Sequence, residues 1–149
     1  MPNWCVNQFM VRGPAEVLAR FKKQAVGYSP WWTRKERAGE PPSPLNFHSL
    51  VPVPEEVLKP GYGEAGHAWE LRNWGAKWGA SDAGLVDEWD GCLMYSFNTA
   101  WSPPIAFLEN VSQQWPTLTF ILEYDEPGMG FKGIAKGHGE KVEDHCIEY

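Results

Sequence analysis

Apolar residues fall two apart in Leu93, Tyr95 and Phe97, and again in Leu118, Phe120, Leu122 and Tyr124. That is the period of a strand with one buried face. Between these runs, Phe107, Leu108, Val111 and Trp115 recur at helical spacing. The join, Asn98-Thr99-Ala100-Trp101-Ser102-Pro103-Pro104, is therefore a strand-to-helix corner. Ser102 is the expected N-cap and Pro103 the expected N1 residue, for a helix over 103–115 that Pro116 stops.

The same pattern occurs near the N-terminus. Trp4 to Val11 predicts a strand, and Gly13-Pro14 breaks it to start a helix over 14–25 with Pro14 near N1. Val17, Leu18, Phe21 and Ala25 form its apolar stripe, and Glu16 and Arg20 make an i,i+4 pair. These four apolar positions match Phe107, Leu108, Val111 and Trp115 at a constant offset of 90. Two similar strand–helix halves on one sheet are implied.

Leu85–Trp89 and Cys92–Phe97 flank Asp90-Gly91, a two-residue hairpin signal in which both turn residues need positive φ. The Leu118 run predicts a strand over 118–125, and Pro127-Gly128 leads into another over Phe131–Lys136. The tail after Gly139 is acidic and weakly patterned. Between the first helix and the hairpin, Gly27–Ser43 reads as loop and Leu45–Val53 as a short strand. Glu55–Leu58 reads as a single turn and His67–Lys77 as a short helix.

The order of elements predicts a single α+β domain over 1–149, a ferredoxin-like split βαβ sandwich. Both helices should cover one face of a mainly antiparallel sheet. A Trp-rich insertion over 27–83 and an extra C-terminal strand complete it. Leu93, Tyr95, Phe97, Phe120 and Leu122 should face the helices. Met94, Ser96, Asn98, Thr119 and Ile121 should line the other face.

Composition sharpens this picture in three respects. Nine tryptophans in 149 residues must find core positions or a ligand surface, since each can bury roughly 150–250 Å². The expectation is that the insertion docks its rings on the domain. The net charge of −6 argues against broad nucleic-acid binding. Residues 1–43, however, carry seven Lys/Arg against three Asp/Glu, so Arg20, Lys22, Lys23, Arg34, Lys35 and Arg37 are a candidate anion-steering patch. Cys5, Cys92 and Cys146, with no export signal or membrane span in the sequence, read as reduced thiols of a cytoplasmic protein.

Most chemical signatures are missing. Base stacking as in an RRM would put aromatics at positions 92 and 94, where Cys92 and Met94 stand. His48, His67, His138 and His145 have no metal-ligand spacing. Gly128-Met129-Gly130-Phe131-Lys132-Gly133 has the letters of a phosphate loop but joins two strands and opens no helix. No G-x-S-x-G elbow occurs. The adjacent carboxylates Asp87-Glu88 and Asp125-Glu126 point to opposite faces of their strands. No cofactor or metal is expected, and catalysis is unsupported. What remains is aromatic. Trp74, Lys77, Trp78 and Trp101 are the candidate binding residues, expected to lie close together as a stacking wall with a cationic handle. Asp82 is the expected partner of the Lys77 ammonium.

Met1-Pro2-Asn3-Trp4-Cys5-Val6-Asn7, Leu50-Val51-Pro52-Val53-Pro54-Glu55-Glu56, Asn73-Trp74-Gly75-Ala76-Lys77-Trp78, Phe97-Asn98-Thr99-Ala100-Trp101-Ser102-Pro103-Pro104 and Phe131-Lys132-Gly133 together resemble the Api92-like, YubB-type family of phage and plasmid proteins. The resemblance implies a ferredoxin-like domain and an origin on a mobile element, and it carries no activity with it. Two features depart from the family pattern. Gly79-Ala80-Ser81 separate Trp78 from Asp82, where an acid should follow directly, and Trp31-Trp32 has no place in it. The leading functional expectation is a non-enzymatic cytoplasmic binding module that engages a host macromolecule, most simply a protein, in takeover or counter-defence. The alternatives are a small-ligand binder or enzyme with a pocket between insertion and sheet, and a nucleic-acid binder through the basic patch.

Overall fold

A computed structural model describes residues 2–32 and 35–149. Six strands form one sheet: β1 (Trp4–Arg12), β2 (Lys77–Trp89), β3 (Cys92–Ala100), β4 (Thr119–Glu126), β5 (Phe131–His138) and β6 (Lys141–Glu148). The spatial order is β2-β3-β1-β4-β5-β6, and every neighbouring pair is antiparallel. Its first four strands have the ferredoxin-like arrangement. The long helices α1 (Ala15–Gln24) and α5 (Ile105–Gln114) lie on the same face. Phe21 of α1 meets Tyr95 and Phe120 edge-on or tilted, and Phe107 of α5 meets Phe9. Phe9, at the centre, stacks on Phe120 at 5.6 Å and packs edge-on against Phe97 at 6.3 Å. The predicted inward set, Leu93, Tyr95, Phe97, Phe120 and Leu122, is buried, while Met94, Ser96, Asn98, Thr119 and Ile121 are half-buried on the other face. The period of two arises because one face packs helices and the other does not.

The stretch between α1 and β2 contributes to the same core. It carries the short helices α2 (Phe47–Leu50) and α3 (Glu55–Leu58) and the longer α4 (Glu64–Asn73). Its base is pinned by a reciprocal pair of backbone hydrogen bonds between Gly27 and Ser43. Phe47 stacks on Phe107 with ring centroids 3.9 Å apart, so this segment seals one end of the sandwich.

Several local expectations are corrected. The segment 45–53 is not a strand. Its alternating Leu45, Phe47, Val51 and Val53 are all buried, but Asn46 Oδ1 accepts the Ser49 N–H at 2.9 Å and starts a helical turn instead. The helix expected over 67–77 starts earlier and ends at Asn73. Gly75, at φ 80°, can leave the helix in a left-handed conformation that other residues resist. Residues 77–84, expected to close the helix and the insertion before a strand from Leu85, already belong to β2. The signal was weak because that edge is irregular, with register shifts near Ser81 and positive φ at Trp78, Gly79 and Asp82. The Asp90-Gly91 hairpin forms, with Trp89 opposite Cys92, although of the two turn residues only Gly91 takes a positive φ.

Ser102 does not cap α5. The helix starts two residues later than expected, with Pro104 at its N-cap and no side-chain cap bond. The Ser102 hydroxyl donates instead to the Gly75 carbonyl at 2.7 Å, and the Ser102 carbonyl accepts from Thr99 Oγ1. Pro14 likewise sits at the N-cap of α1, not at N1. The acidic tail is β6, paired along its whole length with β5. Among the described residues, no helix is long and apolar enough to cross a membrane.

Candidate functional site

The site begins with a buried carboxylate. Glu70, in the last turns of α4, is 0% exposed. Its Oε1 accepts the Tyr62 hydroxyl at 2.9 Å and the Trp78 backbone N–H at 3.1 Å, and its Oε2 accepts the Trp31 indole N–H at 3.1 Å. No cation pairs with it among the described residues. Burying a lone carboxylate costs several kcal/mol, and three convergent donors offset that cost through charge-assisted hydrogen bonds. One side chain thereby fixes three segments: the loop after α1, the link between α3 and α4, and the start of β2. Burial, and then the bond to Glu70, pushes the Tyr62 phenol above its ordinary pKa, so Tyr62 remains a donor.

These segments present their rings to one space. Trp31 packs edge-on against Tyr62 with centroids 5.0 Å apart. A Cβ on Gly66 would come within 2.8 Å of the Trp31 ring, so only glycine lets α4 seat this indole. Trp78 adopts φ 70°, a costly conformation for a bulky residue, and its N–H bond to Glu70 holds it there. Trp31, Trp32, Tyr62 and Trp78, with Glu36 and Ser81, line a cavity of about 710 Å³. Trp78 also lines a second cavity of about 200 Å³, together with Trp74, Tyr28, Arg37 and His48. There Arg37 lies over the Tyr28 ring at 4.4 Å, and burial lowers the His48 pKa while its Nδ1 accepts the Val53 N–H.

The structure divides the four expected binding residues. Trp78 is a cavity wall, 44% exposed. Trp74 is 1% exposed and belongs to the core. Its indole N–H donates to the Val51 carbonyl at 3.0 Å, and its ring meets Phe47 and Trp69 edge-on. Lys77 extends over the Trp78 ring, with Nζ 4.3 Å from the centroid. No carboxylate of the described residues lies within ion-pair distance of it, so Asp82 is not its partner. Trp101 is 48% exposed and lines neither cavity. Its backbone N–H donates to the Asn3 carbonyl, and it makes no ring contact with a described residue. The β2–β3 register sets Lys77 opposite Ala100, so the backbone at Trp101 lies beside Lys77 in space while Trp101 takes no part in lining either cavity.

Sequence reasoning missed Glu70, Tyr62 and the role of Trp31 and Trp32. Consecutive tryptophans inside a polar loop were the available signal, because solvated loops rarely carry two large rings side by side. Three residues of the basic patch make contacts within the fold. Lys22 pairs with Glu88 at 3.0 Å, Arg20 lies over Trp115 and Arg37 over Tyr28. Arg34 falls outside the described residues. The three cysteines are free, and burial pushes the Cys5 thiol up to about 12, which makes it a poor nucleophile. Among the described residues, no three His, Cys, Asp or Glu stand together as a metal site would require.

Comparison with known proteins places this architecture. Residues 73–149 match the family model of the ferredoxin-like domain in Api92-like protein, a stretch that includes Trp78 but not Trp31, Trp32, Tyr62 or Glu70. Among solved structures, the chain is similar to the crystal structure of a protein api92 from Yersinia pseudotuberculosis. The TM-score is 0.76 at 10% sequence identity, covering 100% of this chain and 98% of that one. At that identity the likeness is one of fold. No curated protein matches the chain significantly. With the family model spanning just over half of its length, the chain belongs to the Api92-like family.

Proposed function

We propose that the protein is a binding module whose working site is the aromatic cavity between β2 and the segment preceding it, and whose occupant is a small ligand. One observation carries this reading. A concavity of about 710 Å³ falls in the range of small-molecule sites, roughly 300–1,000 Å³. Its walls are three indoles and a phenol, and Glu70 fixes three of the four through their ring N–H, hydroxyl or backbone. A pre-fixed wall lowers the ordering cost of binding. A mobile-element origin, implied by the family resemblance, would give such a module a role inside a bacterial host.

A host macromolecule in a takeover or counter-defence role is the second reading. It is favoured by the exposure of Trp32, at 54%, and of Trp78, since exposed indoles commonly anchor protein interfaces. Such a partner would insert one protruding group into the same cavity. Intrinsic fluorescence, screened against a fragment set of metabolite-sized cations, anions and aromatics, tests the reading. The wild type should give saturable changes with at least one fragment class. Trp32→Ala and Trp78→Ala, checked for retained circular dichroism, should lose them. No saturable fragment, or binding that survives both variants, would overturn the proposal.

A further inference from the structure

The cavity's walls also define what it would hold. Resting on the reading that the cavity is the binding site, we propose that its occupant carries a methylated ammonium group, enclosed by Trp31, Trp32, Tyr62 and Trp78.

Ring faces carry negative quadrupolar charge and attract cations lying over them. Four rings lining one space offer that attraction from several directions. Two of them are further enriched. The Trp31 N–H and the Tyr62 O–H both donate to Glu70, and donating to a carboxylate pushes electron density back into the ring. Glu70 thus contributes negative potential behind the wall without exposing an acceptor to the ligand.

The remaining chemistry agrees. Among the described residues, the one charged wall residue is a carboxylate, Glu36. Ring faces in this part of the chain already take cations from the chain itself: Lys77 over Trp78 at 4.3 Å and Arg37 over Tyr28 at 4.4 Å. The chain's net charge of −6 favours the approach of cations. Methylation matters because a primary ammonium has three N–H donors that seek oxygen acceptors, whereas methyl groups are satisfied by ring faces. The cavity is larger than a bare tetramethylammonium, and Ser29 and Ser81 offer hydroxyls to the rest of the molecule.

The test is calorimetric titration of the full chain with choline and with 3,3-dimethyl-1-butanol, its uncharged isostere in which carbon replaces nitrogen. Indole-sized neutral aromatics form a third arm. Choline should bind about tenfold more tightly than the isostere, the margin expected of a desolvated cation–π site. That margin should shrink in Trp32→Ala, whose exposed ring can be removed without unfolding the domain, and in Glu70→Gln if that variant folds. Equal binding of choline and isostere, or binding of neutral aromatics alone, would overturn the ammonium assignment while leaving the cavity as a binding site. Failure of every probe class would sink both.

Discussion

Replacing Glu70 by glutamine tests whether one buried carboxylate organises the aromatic wall. The substitution keeps the shape and alters one atom's role. If the amide oxygen takes the Oε1 position, it still accepts from Tyr62 and from the Trp78 N–H. The amide nitrogen then stands at Oε2, 3.1 Å from the Trp31 indole nitrogen, and donor faces donor. Losing that bond and leaving a buried donor unpaired costs about 1–3 kcal/mol. The other two bonds weaken because they are no longer charge-assisted, while removing a buried charge recovers part of the desolvation cost. The net expectation is a loss of about 2 kcal/mol, read in a urea titration followed by circular dichroism. A double-mutant cycle with Trp31→Phe, which removes the indole N–H, isolates the pair and should give a coupling of about 1 kcal/mol or more. Glu88→Gln, at an exposed ion pair with Lys22, is the control and should cost no more than about 1 kcal/mol. If Glu70→Gln is as stable as wild type and the coupling is zero, the carboxylate does not hold the wall.

Three further outcomes are expected. Trp74→Ala should cost about 3–5 kcal/mol in denaturant titration, because it empties a core position and frees the Val51 carbonyl; a loss under 1 kcal/mol would contradict its placement. Ser102→Ala should cost about 0.5–1.5 kcal/mol, and Ser102→Asn, a good helix cap, should not restore it, because the lost bond goes to Gly75; full rescue by Asn would return Ser102 to the capping role. Cys5 has its folded pKa raised from 9.0 to about 12 by burial. Its contribution is therefore complete below pH 9 and is lost as pH rises toward 12, where the unfolded chain ionises first; Cys5→Ala should flatten the alkaline stability profile over that window, and an unchanged slope would count against it.

Strands β1, β3 and β4 and the two long helices were legible in the sequence because each buries one face. Tyr95, Phe97, Phe120 and Leu122 announce their direction by period alone. β6 was not legible, because of its eight side chains only Val142 adds apolar packing to the core, and Asp144 reaches it through a single hydrogen bond from the Tyr124 hydroxyl. Most of what holds it is the backbone ladder to β5, which leaves no pattern in side-chain type. Ser102 was misread because a capping residue and a cross-segment anchor have the same composition, and the acceptor at Gly75 lies 27 residues away. The tryptophan cluster was half legible. Trp74 and Trp78 are four apart, but the left-handed turn at Trp78 separates their fates, one into the core and one into a cavity wall. Glu70 could not be read at all. Its donors come from Trp31, Tyr62 and Trp78, none of which is its helical neighbour on α4.

A ligand bound among Trp31, Trp32 and Trp78 lies against their indoles. Nine tryptophans give nine indole N–H signals, each a local reporter, in a 15N-labelled spectrum. Titration with a fragment that quenches wild-type fluorescence should shift the indole signals of Trp31, Trp32 and Trp78, assigned by single Trp→Phe variants. Those of Trp4, Trp89, Trp101 and Trp115 should stay in place. Saturable shifts confined to Trp101 or to the far end of β2 at Trp89, with the three cavity indoles unmoved, would show that ligand binds elsewhere.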